Sequence, residues 1–187
     1  FGNNGDEGYF FRELVSFQVQ LYKQQYLKKY GQKPRAGDFE RLTEIPVINP
    51  GVEETMRELQ NDGIQVFVLS SGFRHIIREL TRAFVPESNV MANRFVYDVN
   101  GDFVTIHLDV TGDKVDGFKQ ICETNNFLVS ETMYVGDNQF DLPLFSYVLN
   151  NDGGIFYYHT NHKENQIKSL SNHKRIIDID NISQIPK

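Results

Sequence analysis

Three groups of polar residues stand where phosphate or metal chemistry is possible, because each follows an apolar run or opens an expected helix. The first is Ser70-Ser71-Gly72, directly after Val66-Phe67-Val68-Leu69. A hydroxyl at a strand end, followed by backbone amides at a helix start, suits an anionic oxygen, since unpaired N–H groups and the helix dipole both favour negative charge. The second is the pair Asp137 and Asp141, after Met133-Tyr134-Val135-Gly136. Hard divalent cations such as magnesium take oxygen ligands and are held by one or two carboxylates together with substrate phosphate. The third is Lys114, in the first turn of an expected helix, where a cation opposes the helix dipole. That unfavourable placement points to another use, holding a charged phosphoryl oxygen. Taken singly, each has an ordinary explanation: Ser70 as a helix cap, Asp141 as a turn residue, Lys114 as a solvated cation. Their order and spacing together are far more specific.

The elements that must position these residues follow from the hydrophobic pattern. Ile64 to Leu69 is a short apolar run bounded by Gly63 and Ser70, as expected of a parallel strand covered on both faces. A helix carrying Ile76, Ile77, Leu80 and Phe84 follows it. Upstream, Asn49-Pro50 supplies a cap and a proline at the first helical position for a helix through Val52, Met56 and Leu59. Between Asn93 and Val110, two extended stretches flank Asn100-Gly101, a strong hairpin signal. Asp113 is placed to cap a helix carrying Val115, Phe118, Ile121 and Cys122, which ends near Asn125-Asn126. A strand at Thr132–Gly136, a helix near Leu142–Leu149, a strand at Gly154–His159 and an extended piece at Arg175–Ile179 complete the pattern. Strands alternating with helices predict an α/β fold with a doubly wound, mostly parallel sheet. The N-terminal part differs: Phe10, Leu14, Phe17 and Leu21 recur at helical spacing in a long amphipathic helix that Gly31 and Pro34 terminate.

Bulk properties narrow the partners. The chain has 187 residues, a formal charge of -6 and a pI near 5.4, with no run of lysine or arginine. That excludes an electrostatic footprint for nucleic acid or an anionic membrane, and leaves a small molecule as the expected partner. No apolar run approaches the ~18 residues of a membrane helix. Cys122 is the only cysteine, which fits a reducing, cytoplasmic setting. The five histidines, His75 and His107 among them, show no metal-ligand spacing.

Taken together, Asn49-Pro50-Gly51-Val52 with Leu59 and Gly63, Leu69-Ser70-Ser71-Gly72-Phe73, Ala92-Asn93-Arg94-Phe95, Lys114, and Gly136-Asp137 through Asp141-Leu142-Pro143 resemble the haloacid dehalogenase superfamily, in its phosphoserine phosphatase-like branch. The resemblance covers about residues 46 to 145. It implies a phosphatase in which Ser70 and Lys114 bind the phosphate, with Ser71 and Gly72 beside them. Asp137 would bind magnesium (Mg2+), and Asp141 would support the metal or the lysine. It also implies a small helical cap of the C1 type at residues 1–45 over an α/β core at 46–187. Glu7, or Asp6, falls roughly where relatives contact a substrate amine, although a solvated acidic loop explains it as simply. Phe140 and Asn138 depart from the asparagine and glycine usual in phosphoserine phosphatases, which puts serine phosphate as substrate in question.

The same resemblance calls for an Asp-x-Asp-x-Thr strand ahead of the cap, its first aspartate attacking phosphorus and its second serving as acid and base. In the family this strand lies between those ending at Ser70 and Asp137. No such segment precedes the cap here. Three readings of this stand open: residues carrying it precede Phe1; the domain is a fragment or a non-catalytic phosphate-binding relative; or Ile176-Ile177-Asp178-Ile179-Asp180-Asn181 supplies it by circular permutation. The expected activity is accordingly a magnesium-dependent phosphomonoester hydrolase using an aspartyl-phosphate intermediate. A regulatory phosphate-binding module, or a phosphotransferase or nucleotidase on the same scaffold, is the alternative.

Overall fold

The structure is a computed structural model and describes residues 4–38, 48–111, 114–137, 139–158 and 176–179. In chain order its elements are α1 (Asn4–Tyr30), α2 (Val52–Asn61), β1 (Val68–Phe73), α3 (Arg74–Thr81), β2 (Val90–Tyr97), β3 (Phe103–His107), α4 (Val115–Asn125), β4 (Met133–Gly136), α5 (Leu142–Asn150), β5 (Gly154–Tyr158) and β6 (Ile176–Ile179). The chain divides into two compact units, one of Phe1–Val47 with Phe67–Gly112, the other of Ile48–Val66 with Asp113–Lys187. Each unit combines helices with a three-stranded sheet, in keeping with the α/β class.

In the first unit the sheet order is β1-β2-β3, β1 parallel to β2 and β2 antiparallel to β3. The β2–β3 hairpin turns at Asn100-Gly101, where Gly101 has φ 80, a left-handed conformation that costs glycine nothing. Asp98 secures the turn by accepting the backbone N–H groups of Asn100 and Asp102 at 2.9 and 3.0 Å. Helix α1 runs as a single element to Gly31, whose φ of 71 stops it. The face it buries differs from the predicted one. Val19 and Tyr26 are buried, and Val19 and Tyr22 pack with Phe95, Tyr97, Phe103 and Ile106 of the hairpin. Phe17 and Leu21 are exposed. The stripe of Val19, Tyr22 and Tyr26 has the same i, i+3, i+7 period as the predicted one, so spacing alone could not choose between faces.

In the second unit β4, β5 and β6 form an all-parallel sheet in that order. Its core is built from Ile155 and Phe156 of β5 with Leu144, Phe145 and Val148 of α5, each at most 1% exposed. At about 25 cal/mol per Å2 of buried apolar surface, each such side chain contributes ~2 kcal/mol. Gly153 permits the tight α5–β5 connection, since a Cβ there would lie 2.6 Å from Val148 Cγ1 and 2.7 Å from the Val129 carbonyl oxygen. Helix α2 begins at Val52 with Gly51 at its N-cap (φ 83), so Asn49-Pro50 lies in the turn before the helix and not at its cap. Among the described residues, no helix is long and apolar enough to cross a membrane.

Candidate functional site

Ser70 sits in β1, which extends through Phe73 instead of ending at Leu69. Pairing with β2 slips within this stretch: Ser70 is opposite Ala92, and the next pair is Phe73 with Asn93. Ser71 and Gly72 are therefore a bulge with no partners in the ladder, which re-aims the strand end. The bulge is held from two sides. The Gly72 N–H donates to Ser70 Oγ at 3.0 Å, and Asn93 Nδ2 donates to the Ser71 carbonyl at 2.8 Å. The other half of the Asn93 amide accepts the Val110 N–H at 2.8 Å, so this buried side chain spends both polar ends pinning the loop. A hydroxyl that accepts from Gly72 retains its own proton for donation to an anion.

The second group lies entirely within the second unit. Lys114 is the N-cap of α4, one place earlier than predicted, and has φ 57, unusual for a residue with a side chain. Asp113 lies outside the described residues. The Lys114 ammonium donates to Asp141 Oδ1 at 2.6 Å and to the Tyr134 hydroxyl at 3.3 Å. Tyr134 in turn donates to Asp141 Oδ1 at 2.8 Å, and the Asp137 N–H donates to Asp141 Oδ2 at 3.1 Å. Asp141 is only 1% exposed, a burial that a carboxylate tolerates when paired and hydrogen-bonded. It stands at the N-cap of α5 yet makes no side-chain cap bond, because its oxygens are turned to this network. Burial, with the Asp141 charge and hydrogen bond adding to it, pushes the Tyr134 phenol well above its ordinary pKa, so it stays a neutral hydroxyl.

Asp137 is exposed, at the carboxyl end of β4, where ligands of parallel sheets bind. Among the described residues no three acidic, histidine or cysteine side chains cluster as a metal cage. One exposed carboxylate fits magnesium better than that absence suggests, because the ion keeps most of its shell for water and phosphate. Glu7 and Asp6 fall within α1, and their side chains lie outside the described ones, as do Asn138 and Asp180. Asp178 is in β6, which pairs with β5 and not with β4, so it does not stand beside the strand that ends at Asp137. The sequence reading gave no role to Tyr134 or Asn93; Asn93 stood in the Ala92-Asn93-Arg94-Phe95 piece of the resemblance, and the only signal Tyr134 offered was a polar atom within an apolar strand.

The haloacid dehalogenase-like hydrolase profile matches residues 5–147, and the chain belongs to that family. It is 31% identical over 102 residues to phosphoserine phosphatase of Bos taurus, covering 52% of this chain and 44% of that one. To the Homo sapiens phosphoserine phosphatase it is 37% identical over 59 residues, 31% of this chain and 26% of that one. The chain thus spans less than half the length of these curated relatives. A phosphoserine phosphohydrolase-like protein of Francisella tularensis matches the fold with a TM-score of 0.57 at 18% identity, over 82% of this chain and 70% of that one.

Proposed function

We propose that this protein is a magnesium-dependent phosphomonoester hydrolase that acts on a small phosphorylated metabolite through an aspartyl-phosphate intermediate. The observation that supports it most is the Lys114–Asp141 pair at 2.6 Å: a cation held at a strained N-cap by a buried carboxylate, four residues after Asp137. Strain of about 1–3 kcal/mol persists where the surroundings impose it, commonly at functional sites. In this reading Ser70 and Lys114 bind phosphoryl oxygens, Ser71 offers its backbone N–H, Gly72 holds the Ser70 hydroxyl through its own N–H, and Glu7 meets a polar group on the substrate. Asp137 holds magnesium. When bound there, the ion offsets phosphoryl charge and orients the group for in-line attack. Both Asp141 oxygens already accept hydrogen bonds, so we assign Asp141 to the lysine, with any support of the metal passing through the Asp137 backbone. Residues 1–45 serve as a cap on the core of 46–187.

On the family resemblance, the attacking aspartate belongs to an Asp-x-Asp-x-Thr strand. Among the described strands, β1 and β4 are each paired on one edge only. The lone Cys122, buried and with no disulfide, fits a reducing compartment.

The test is release of phosphate from p-nitrophenyl phosphate, then from phosphoserine, by the full-length protein with and without magnesium. Its intact mass is compared with 21.7 kDa. Turnover that requires magnesium, falls at least ~100-fold in Ser70→Ala and Asp137→Asn, and accompanies a mass larger by at least a strand, ~6 residues, supports the proposal. Phosphate binding with no turnover in any condition leaves the non-catalytic module.

A further inference from the structure

Tyr134 lies inside β4, between two ordinary apolar positions, and its ring packs edge-on to Phe118 and Phe145 at centroid distances of 6.4 and 5.7 Å. A phenylalanine would satisfy that packing. The hydroxyl is then an added polar atom in a half-buried place, and such an atom is costly unless it is used. Here it is used on both sides: it donates to Asp141 Oδ1 at 2.8 Å and accepts from Lys114 at 3.3 Å.

The two distances rank its bonds. At 2.8 Å, a hydroxyl on a carboxylate is a charge-assisted hydrogen bond, whereas 3.3 Å is beyond the usual N–H···O range. Tyr134 therefore acts on Lys114 chiefly through Asp141. An ammonium on a four-carbon stem with one anchor swings about it. Asp141 is a firm anchor only if its own carboxylate cannot rotate. The Asp137 N–H fixes Oδ2, and Tyr134 fixes Oδ1. With one N–H on Asp141 and a second on Tyr134, the ammonium keeps a third beyond these two bonds.

We propose that Tyr134 is a positioning residue, locking the Asp141 carboxylate so that Lys114 presents its remaining N–H to an anion in a fixed direction. The proposal rests on the phosphatase reading for the identity of that anion, a phosphoryl group, but not for the geometry. Tyr134 touches no reacting atom.

A double-mutant cycle tests it in the full-length protein: Tyr134→Phe, Lys114→Met and the pair, read as kcat/KM on p-nitrophenyl phosphate. Tyr134→Phe lowers kcat/KM about tenfold when Lys114 is present and less than twofold in the Lys114→Met background. A tenfold loss in both backgrounds overturns the proposal, because the hydroxyl would then act independently of the lysine. A second readout does not depend on turnover or on folding of the Met variant. The 15N-labelled Lys114 ammonium is followed by NMR while inorganic phosphate is added. In wild type its signal is resolved and shifts with phosphate; in Tyr134→Phe it broadens with solvent exchange and the shift weakens. An ammonium signal identical in the two proteins overturns the proposal, as does a wild-type signal indifferent to phosphate. Absence of turnover in wild type, with the phosphate shift intact, defeats only the hydrolase reading.

Discussion

Gly136 and Asp141 are in such close approach that a Cβ on Gly136 would lie 2.8 Å from Asp141 Oδ2 and 2.9 Å from its Cγ, with Phe145 Cζ also at 2.9 Å. Glycine is required there by space and not by backbone twist. Gly136→Ala must push the Asp141 carboxylate off Lys114 or displace the Phe145 ring. Overpacking of this kind costs about 2 kcal/mol. A chemical denaturation curve should show that loss, with kcat/KM falling further than an equally destabilising change elsewhere; unchanged stability would mean the carboxylate yields without resistance.

Removing the charge on Asp141 leaves Lys114 facing neutral groups. Asp141→Asn keeps one oxygen, which serves either the Tyr134 hydroxyl or the Asp137 N–H but not both, so one hydrogen bond is lost together with the ion pair. Breaking a fully buried pair costs 3–5 kcal/mol; with Lys114 13% exposed and Asp141 1%, the expected loss is about 2–3 kcal/mol. Equilibrium unfolding at neutral pH checks it, and a loss under 0.5 kcal/mol, the level of a surface pair, would contradict the buried network.

Asn93→Ala withdraws both bonds that hold the Ser71-Gly72 bulge. It orphans the Val110 N–H, while the Ser71 carbonyl, on an exposed residue, regains water. One buried unsatisfied donor and one lost hydrogen bond amount to about 2–3 kcal/mol. Amide hydrogen exchange at Gly72 and Val110 should accelerate well beyond that of β5. Uniform acceleration across both units would assign Asn93 to global stability instead.

Asp98 gives the first unit a dependence on acid. The N–H of Asp102, then that of Asn100, holds its carboxyl below the usual range, with smaller help from Lys33 and Arg35. A carboxylate whose folded pKa is depressed contributes stability above its unfolded value, near ~3.9, and loses it as pH falls through the folded value. The gap in melting temperature between wild type and Asp98→Ala should be widest at pH 6–7 and narrow progressively as pH falls below about 3.9. A gap that does not narrow with acid would trace the effect to packing of the turn.

Much of this structure was legible in the sequence. Asn100-Gly101 marked the hairpin; the run from Val115 to Cys122 marked α4; and Met133–Gly136 followed by Asp137 marked a strand delivering a carboxylate. These signals are local, carried by turn chemistry and period. What stayed hidden depends on contacts between distant segments. The bulge at Ser71-Gly72 exists because Asn93, 22 residues beyond Ser71, supplies the missing hydrogen bond. Tyr134 reads as one more apolar strand position until Lys114 and Asp141 are brought to its hydroxyl. The buried face of α1 was decided by Phe95 and Phe103, which no window around Val19 contains.

The bulge also has an arithmetic. Between consecutive pairs with β2, strand β1 carries two surplus residues, Ser71 and Gly72, where β2 has none. Side chains alternate with a period of two, so an even surplus leaves Phe73 on the side an uninterrupted ladder would have given it. A dipeptide is thus a natural unit by which such a loop can be inserted or deleted in evolution, since its arrival leaves the hydrophobic lettering of the strand unrevised.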